Sequence, residues 1–264
     1  MGRISMAALV GILAAAPVGA SAHMPYMLPN MFDLTERDHI TVQASFAEDA
    51  FVPEVVMKSE AFHSRGPSGT TPIKDVTYLR DLTVFEAAIP AKGTYRVSSG
   101  ERFGRKGKMY KAPTGEWVIT GEESKDLPVG AQLVDVQSMT LAEVYVSRGA
   151  PTKDALAPTG KSLELRPITH PNEIFAAQPA SFELLFEGKP VAGANVEVYR
   201  SAGVYDGKKK VADKVTTDAA GRFSVTPPDA GTYLALIRYR TASPPGAETP
   251  YRSYSYTLTF EATE

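Results

Sequence analysis

The chain has 264 residues, with 28 Lys+Arg against 30 Asp+Glu, 43% hydrophobic residues, four His, one Trp and no Cys. That length suits one or two domains with real cores, and the near-neutral charge gives no electrostatic pull toward nucleic acid. The lack of cysteine excludes disulfide scaffolds, thiolate zinc sites, iron–sulfur clusters and cysteine nucleophiles, so any metal must be held by nitrogen, oxygen or thioether ligands.

The first segment reads as a signal peptide over residues 1–22: Arg3, an apolar Ala-rich stretch over 4–18, then Ala20-Ser21-Ala22 as a small-x-small cleavage signal. The stretch is too short to span a bilayer and is broken by Pro17. A cut after Ala22 makes His23 the first residue, whereas a competing cut after Ala20 leaves Ser21 first. No later stretch is apolar for long enough to cross a membrane, so the mature chain is expected to carry no integral membrane segment. Export of a cysteine-free chain points to a periplasm.

Period-two alternation then recurs along the chain: Ile40, Val42, Ala44 and Phe46; Leu82 and Val84; Tyr95 and Val97; Val134 and Val136; Val144 and Val146. No long amphipathic helix competes with it, so the fold class expected is all-β. The stretch over 100–128 is the least regular and reads as a long insert, and it holds the lone Trp117. Over 151–161 a polar, Pro-containing stretch divides a domain over 23–161 from one over 162–264. In the second domain strands are expected over 162–168, 180–186, 194–200, 211–217, 222–226, 232–240 and 252–260, separated by Gly, Pro and Asp turns. Seven short strands in that length suggest an immunoglobulin-like β-sandwich without the usual Cys and Trp pins, and two such sandwiches are expected in tandem. An internal echo, Pro90-Ala91-Lys92-Gly93-Thr94-Tyr95 and Pro228-Asp229-Ala230-Gly231-Thr232-Tyr233, reads as two similar hairpin turns, each leading into an apolar strand.

The sharpest candidate site is the segment that begins at His23. An N-terminal His offers an α-amine and an imidazole to a single metal ion. Met24, Met27 and Met31 add thioether sulfurs, soft ligands that suit Cu(I), unless they fill a core as part of an edge strand. His39, His63 and His170 are the available partners, although no H-x-H pair places any of them together in sequence. For His170, in Thr169-His170-Pro171-Asn172, a turn or an interdomain hydrogen bond is the plainer reading. The basic run Arg102, Arg105, Lys106, Lys108 and Lys111 reads as a solvated loop, and no nucleic-acid partner is expected. G-x-S-x-G, H-E-x-x-H, Walker A and dinucleotide motifs are missing from the sequence, and no enzymatic activity is expected.

Several of these features together, Ala22-His23, Pro158-Thr159-Gly160-Lys161-Ser162-Leu163-Glu164-Leu165-Arg166-Pro167, Thr169-His170-Pro171-Asn172, Gly188-Lys189-Pro190-Val191-Ala192-Gly193 and Thr217-Asp218-x-x-Gly221-Arg222-Phe223, resemble a family of exported bacterial proteins. That family was once described as a nickel-uptake substrate-specific region and includes periplasmic accessory components of nickel and cobalt importers. The C-terminal half is similar to carboxypeptidase-regulatory or transthyretin-like sandwich modules, in which T-D-x-x-G-x-F forms a hairpin turn. The resemblance implies a periplasmic accessory protein that handles a transition metal ion (Ni, Co or Cu) beside a metal-uptake membrane transporter, with His23 at the family's Ala-His position. The alternative expectation is a metal-free interaction module that recognises an envelope protein or a glycan.

Overall fold

The computed structural model describes residues 23–113, 115, 117–120, 127–201 and 211–264. The expected signal peptide, and the cut that would end it, lie outside the described residues. The N-terminal half carries β1 (Met24–Pro29), β2 (Asp33–Leu34), β3 (His39–Ala47), β4 (Val55–Val56), β5 (His63–Gly66), β6 (Gly69–Pro72), β7 (Val76–Tyr78), β8 (Thr83–Ala88), β9 (Gly93–Ser98), β10 (Arg102–Lys111), β11 (Trp117–Thr120) and β12 (Val134–Arg148). After a single 3-10 turn at Asp154–Leu156, the C-terminal half carries β13 (Leu163–Pro167), β14 (Ala180–Phe186), β15 (Lys189–Pro190), β16 (Asn195–Arg200), β17 (Val211–Thr216), β18 (Arg222–Val225), β19 (Gly231–Ala242) and β20 (Tyr251–Ala262). Among the described residues no helix is long and apolar enough to cross a membrane.

Both halves are sandwiches with one strand order. In the first, β1-β3-β8-β7 faces β12-β9-β5-β6; in the second, β13-β14-β18 faces β17-β16-β19-β20. Alternation builds each core. Ile40, Val42 and Ala44 of β3 meet Tyr95 and Val97 of β9 and Val144 and Val146 of β12 in the first. Phe182 and Leu184 of β14 meet Tyr233, Ala235 and Ile237 of β19 and Tyr254, Tyr256, Leu258 and Phe260 of β20 in the second. All seven strands expected in the second half are present, with bounds within two residues of expectation.

The two sandwiches are not separate beads. β12 and β20 pair in parallel, from Val136 opposite Tyr251 to Val144 opposite Thr259. One sheet therefore runs β17-β16-β19-β20-β12-β9-β5-β6 through the molecule. The covering sheets lie on its opposite faces: on β19, Tyr233, Ala235 and Ile237 belong to the second core, while Leu234 and Leu236 pack with Met24 and Tyr26 of β1.

The repeated hexapeptide falls where β8 passes to β9 and where β18 passes to β19. These are crossings from one sheet of a sandwich to the other, not hairpins. Tyr95 Oη donates to Ala91 O (3.2 Å) and accepts from Ala91 N (2.9 Å), and Tyr233 Oη donates to Asp229 O (2.7 Å). Each is a tyrosine corner, the ring closing the turn at the start of the same strand in each sandwich, as in immunoglobulin-like domains. Gly93 (φ 124°) and Gly231 (φ 150°) take the backbone conformation those corners need.

Of the irregular insert expected over 100–128, residues 114, 116 and 121–126 lie outside the described residues, and the described part is largely strand. β10 runs ten residues there, pairs with β12 and folds back onto β11, and Trp117 packs on Tyr251 with ring centroids 5.0 Å apart. The pattern misled because β10 buries only Met109 completely and carries Gly104 and Gly107, with a register shift between Phe103 and Lys106. Within the basic run, Lys106 pairs with Glu248, and Lys108 with Asp135 at 2.9 Å.

Candidate functional site

The start of the described chain forms one cluster of ligand-type atoms. β1 runs antiparallel to β3 with Met24 opposite Ala47, so His23 lies beside the turn that follows β3. That turn begins at Glu48, and Glu54 precedes β4, whose Val55 pairs with Phe46. His23 Nε2 is 3.0 Å from Glu54 Oε2, and Glu54 Oε1 accepts the Glu48 N–H at 3.1 Å. His23, Glu48 and Glu54 each bring one ligand-type atom, these atoms lie within 4.8 Å of one another, and all three residues are exposed. Glu48 and Glu54 were missed by sequence reasoning. Pairing the expected strand at 40–46 with the segment after His23 would have found Glu48; Glu54 depends on the return of β4.

The structure does not bring the expected partners to this place. His39 sits at the opposite end of β3 from Ala47, eight residues or about 27 Å away, and its Nδ1 is 3.0 Å from Asp38 Oδ1. His63 opens β5 in the facing sheet, where its Nδ1 bonds Ala61 O at 2.9 Å. His170 is buried between the halves. Its Nδ1 accepts the Asn172 N–H at 3.1 Å, so Nε2 carries the proton toward Thr152 O at 3.0 Å, with Thr94 Oγ1 at 3.1 Å. Both its ring nitrogens are thus occupied, Nδ1 within its own turn and Nε2 in joining the halves. The methionine expectation is corrected as well: Met24 (2% exposed) packs against β19 and Met27 (0%) lies in the first core, so β1 spends its thioethers on packing.

A second feature is a cleft of about 870 Å³ at the junction of the halves, floored by β5, β9 and β12 and walled by residues 158–164, Glu187 and β20. Beneath it lies a buried polar network. Arg96 Nε and Nη2 each donate at 2.8 Å to Glu143, which also accepts from Tyr256 Oη at 2.7 Å. Glu164 accepts from Thr159 N (2.7 Å), Thr159 Oγ1 (3.1 Å) and Gly160 N (2.7 Å). Burial works against the Arg96 charge, but the Glu143 carboxylate outweighs it and holds the guanidinium charged above the usual arginine range. Burial, with Glu143 beside it, pushes the Tyr256 phenol well up, so it stays a donor.

These features define a class: an all-β protein of two immunoglobulin-like sandwiches fused through one sheet, with a polar cleft at the seam. The chain belongs to the DUF4198 family, a domain of unknown function, which matches residues 20–241. No curated protein matches it. Among solved structures, the Yersinia pseudotuberculosis adhesin InvE is 16% identical, covering 92% of this chain and 61% of its own, with a TM-score of 0.22. This chain therefore spans about three fifths of that adhesin structure. A segment of two fibronectin type-III domains from chicken tenascin is 11% identical, covering 89% of this chain and 98% of that one, with a TM-score of 0.21. The FN1–FN3 domains of chicken CNTN1 are 10% identical, covering 92% and 100%, with a TM-score of 0.23.

Proposed function

We propose that this is a periplasmic accessory protein that binds a divalent transition metal at His23, Glu48 and Glu54 and serves a metal-uptake transporter. The observation that carries the reading is the convergence of the three side chains within 4.8 Å at the residue expected to be first after export. Cleavage after Ala22 would free an α-amine on His23, adding a nitrogen next to an imidazole and two carboxylates. Nitrogen and oxygen donors of this kind suit Ni(II), Co(II) or Cu(II). With Met24 and Met27 in the cores, the soft set that would favour Cu(I) is gone. The resemblance to exported proteins beside nickel and cobalt importers points the same way. The T-D-x-x-G-x-F motif of the second half serves the turn, since Asp218 Oδ1 accepts the N–H groups of Ala220 and Arg222 (both 2.8 Å).

The test is calorimetric titration of correctly processed protein, its N-terminus verified by mass spectrometry, with Ni(II), Co(II), Cu(II) and Cu(I). We expect one divalent ion per chain, weak Cu(I) binding, and a loss of about a hundredfold or more in His23→Ala, beyond the upper range for losing a group that only orients a ligand. Equal binding of every metal by His23→Ala and the parent overturns the assignment.

A further inference from the structure

We propose that the junction cleft is a binding site for a small polycarboxylate, a site independent of the metal reading. Its size falls in the range of small-molecule pockets, about 300–1,000 Å³, and it lies between two packed units, where such pockets concentrate.

The chemistry of the lining selects the ligand. The carboxylates at the floor already have donors: Glu143 takes two from Arg96 and one from Tyr256, and Glu164 takes three from Thr159 and Gly160. A visiting cation finds them occupied. The floor is charge-balanced: Arg96, 5% exposed, spends its Nε/Nη2 edge on Glu143 with Glu164 Oε2 3.9 Å from Nη2, and its Nη1 is itself covered. The cations free to meet a ligand are at the mouth, where a carboxylate matches guanidinium geometry. Around the mouth stand Arg65, Lys161 and Arg252, from β5, the 158–164 wall and β20, against Glu101 and Glu187. Arg252 is held in place over the Phe103 ring, 5.5 Å from its centroid. Cations on three sides of the mouth fit an acid with more than one carboxylate better than a single one. A sugar is disfavoured, because among the described residues Tyr254 is the one Phe, Tyr or Trp lining the cleft, and at 6% exposed it offers no open face for stacking.

The experiment is calorimetric titration of the full processed chain with citrate in metal-free buffer, with acetate and sulfate as comparison anions. We expect saturable one-to-one citrate binding, weaker binding of both comparison anions, and a loss of about tenfold or more for Lys161→Ala and for Arg65→Ala, the weight of a charge-assisted hydrogen bond. Arg96 is left intact, since its removal would strand Glu143 in the interior. Arg65 also donates to Ala157 O at 3.2 Å, so Lys161→Ala, whose side chain holds no wall in place, is the deciding variant if Arg65→Ala melts early. Absence of saturable heat, unchanged affinity in Lys161→Ala, or sulfate binding as tightly as citrate would each overturn the proposal. Loss of metal binding in His23→Ala with citrate binding intact separates the two sites.

Discussion

Asp33, in β2, and Glu261, near the end of β20, are carboxylates that the fold prefers neutral. Burial raises both, with His170 opposing the effect at Asp33 and the Asp33 charge adding to it at Glu261. A folded value above the unfolded one means that these groups contribute stability fully below the ordinary carboxylate range and lose it as pH rises through their raised values. Glu261→Gln keeps a neutral group at every pH. Its Tm should exceed the parent's by about 1–2 °C at pH 7, solvent screening keeping the effect small, and the gain should vanish toward pH 4 in a thermal-melt series. At this scale residue types were more legible than their places. His23 was legible as an unusual first residue, but its neighbours Glu48 and Glu54 are ordinary surface carboxylates until β3 and β4 bring them round. Met24 and Met27 were legible as thioethers, and only the double-sided burial of β1 reveals that both are spent.

Among elements, the two corners matter most, because each fixes a crossing between sheets with one hydroxyl. Tyr95→Phe and Tyr233→Phe should each lower stability by about 1 kcal/mol in urea unfolding. The corners belong to different sandwiches, so the double variant should lose about the sum. An interaction energy near zero is the expected reading. The second half was legible strand by strand because each strand alternates cleanly and is bounded by Gly, Pro or Asp. Two elements were not. β10 has a single completely buried apolar side chain, and it is a strand because β12 supplies a partner ladder. β12 itself runs fifteen residues, yet its apolar signal lapses over Gln137, Ser138 and Thr140, where pairing on both sides with β10 and β20 replaces packing.

For the whole molecule, the parallel seam between β12 and β20 had no local signature, since its partners lie more than a hundred residues apart and either strand reads equally well at an edge. The seam makes one cooperative unit the expectation. Calorimetry should show a single unfolding transition rather than one per sandwich. The His170–Asn172 corner reinforces it: Asn172 Oδ1 accepts from Ser147 Oγ at 2.8 Å, and its Nδ2 donates to Phe32 O at 3.2 Å. Asn172→Ala should lower stability by about 2 kcal/mol, moving that one transition without splitting it.

The seating of β1 also sets an order in time. Its Met24 and Tyr26 rest on Leu234 and Leu236, and Thr257 Oγ1 donates to Pro25 O at 2.9 Å across 232 residues of chain. β1 is therefore made long before it finds its place, because the surface that holds it is supplied by β19 and β20. Until β19 and β20 arrive, the segment that begins at His23 has no seat, and a chain cut short before them cannot hold that residue beside Glu48 and Glu54. The geometry at His23 is in this sense a report that β19 and β20 have been made.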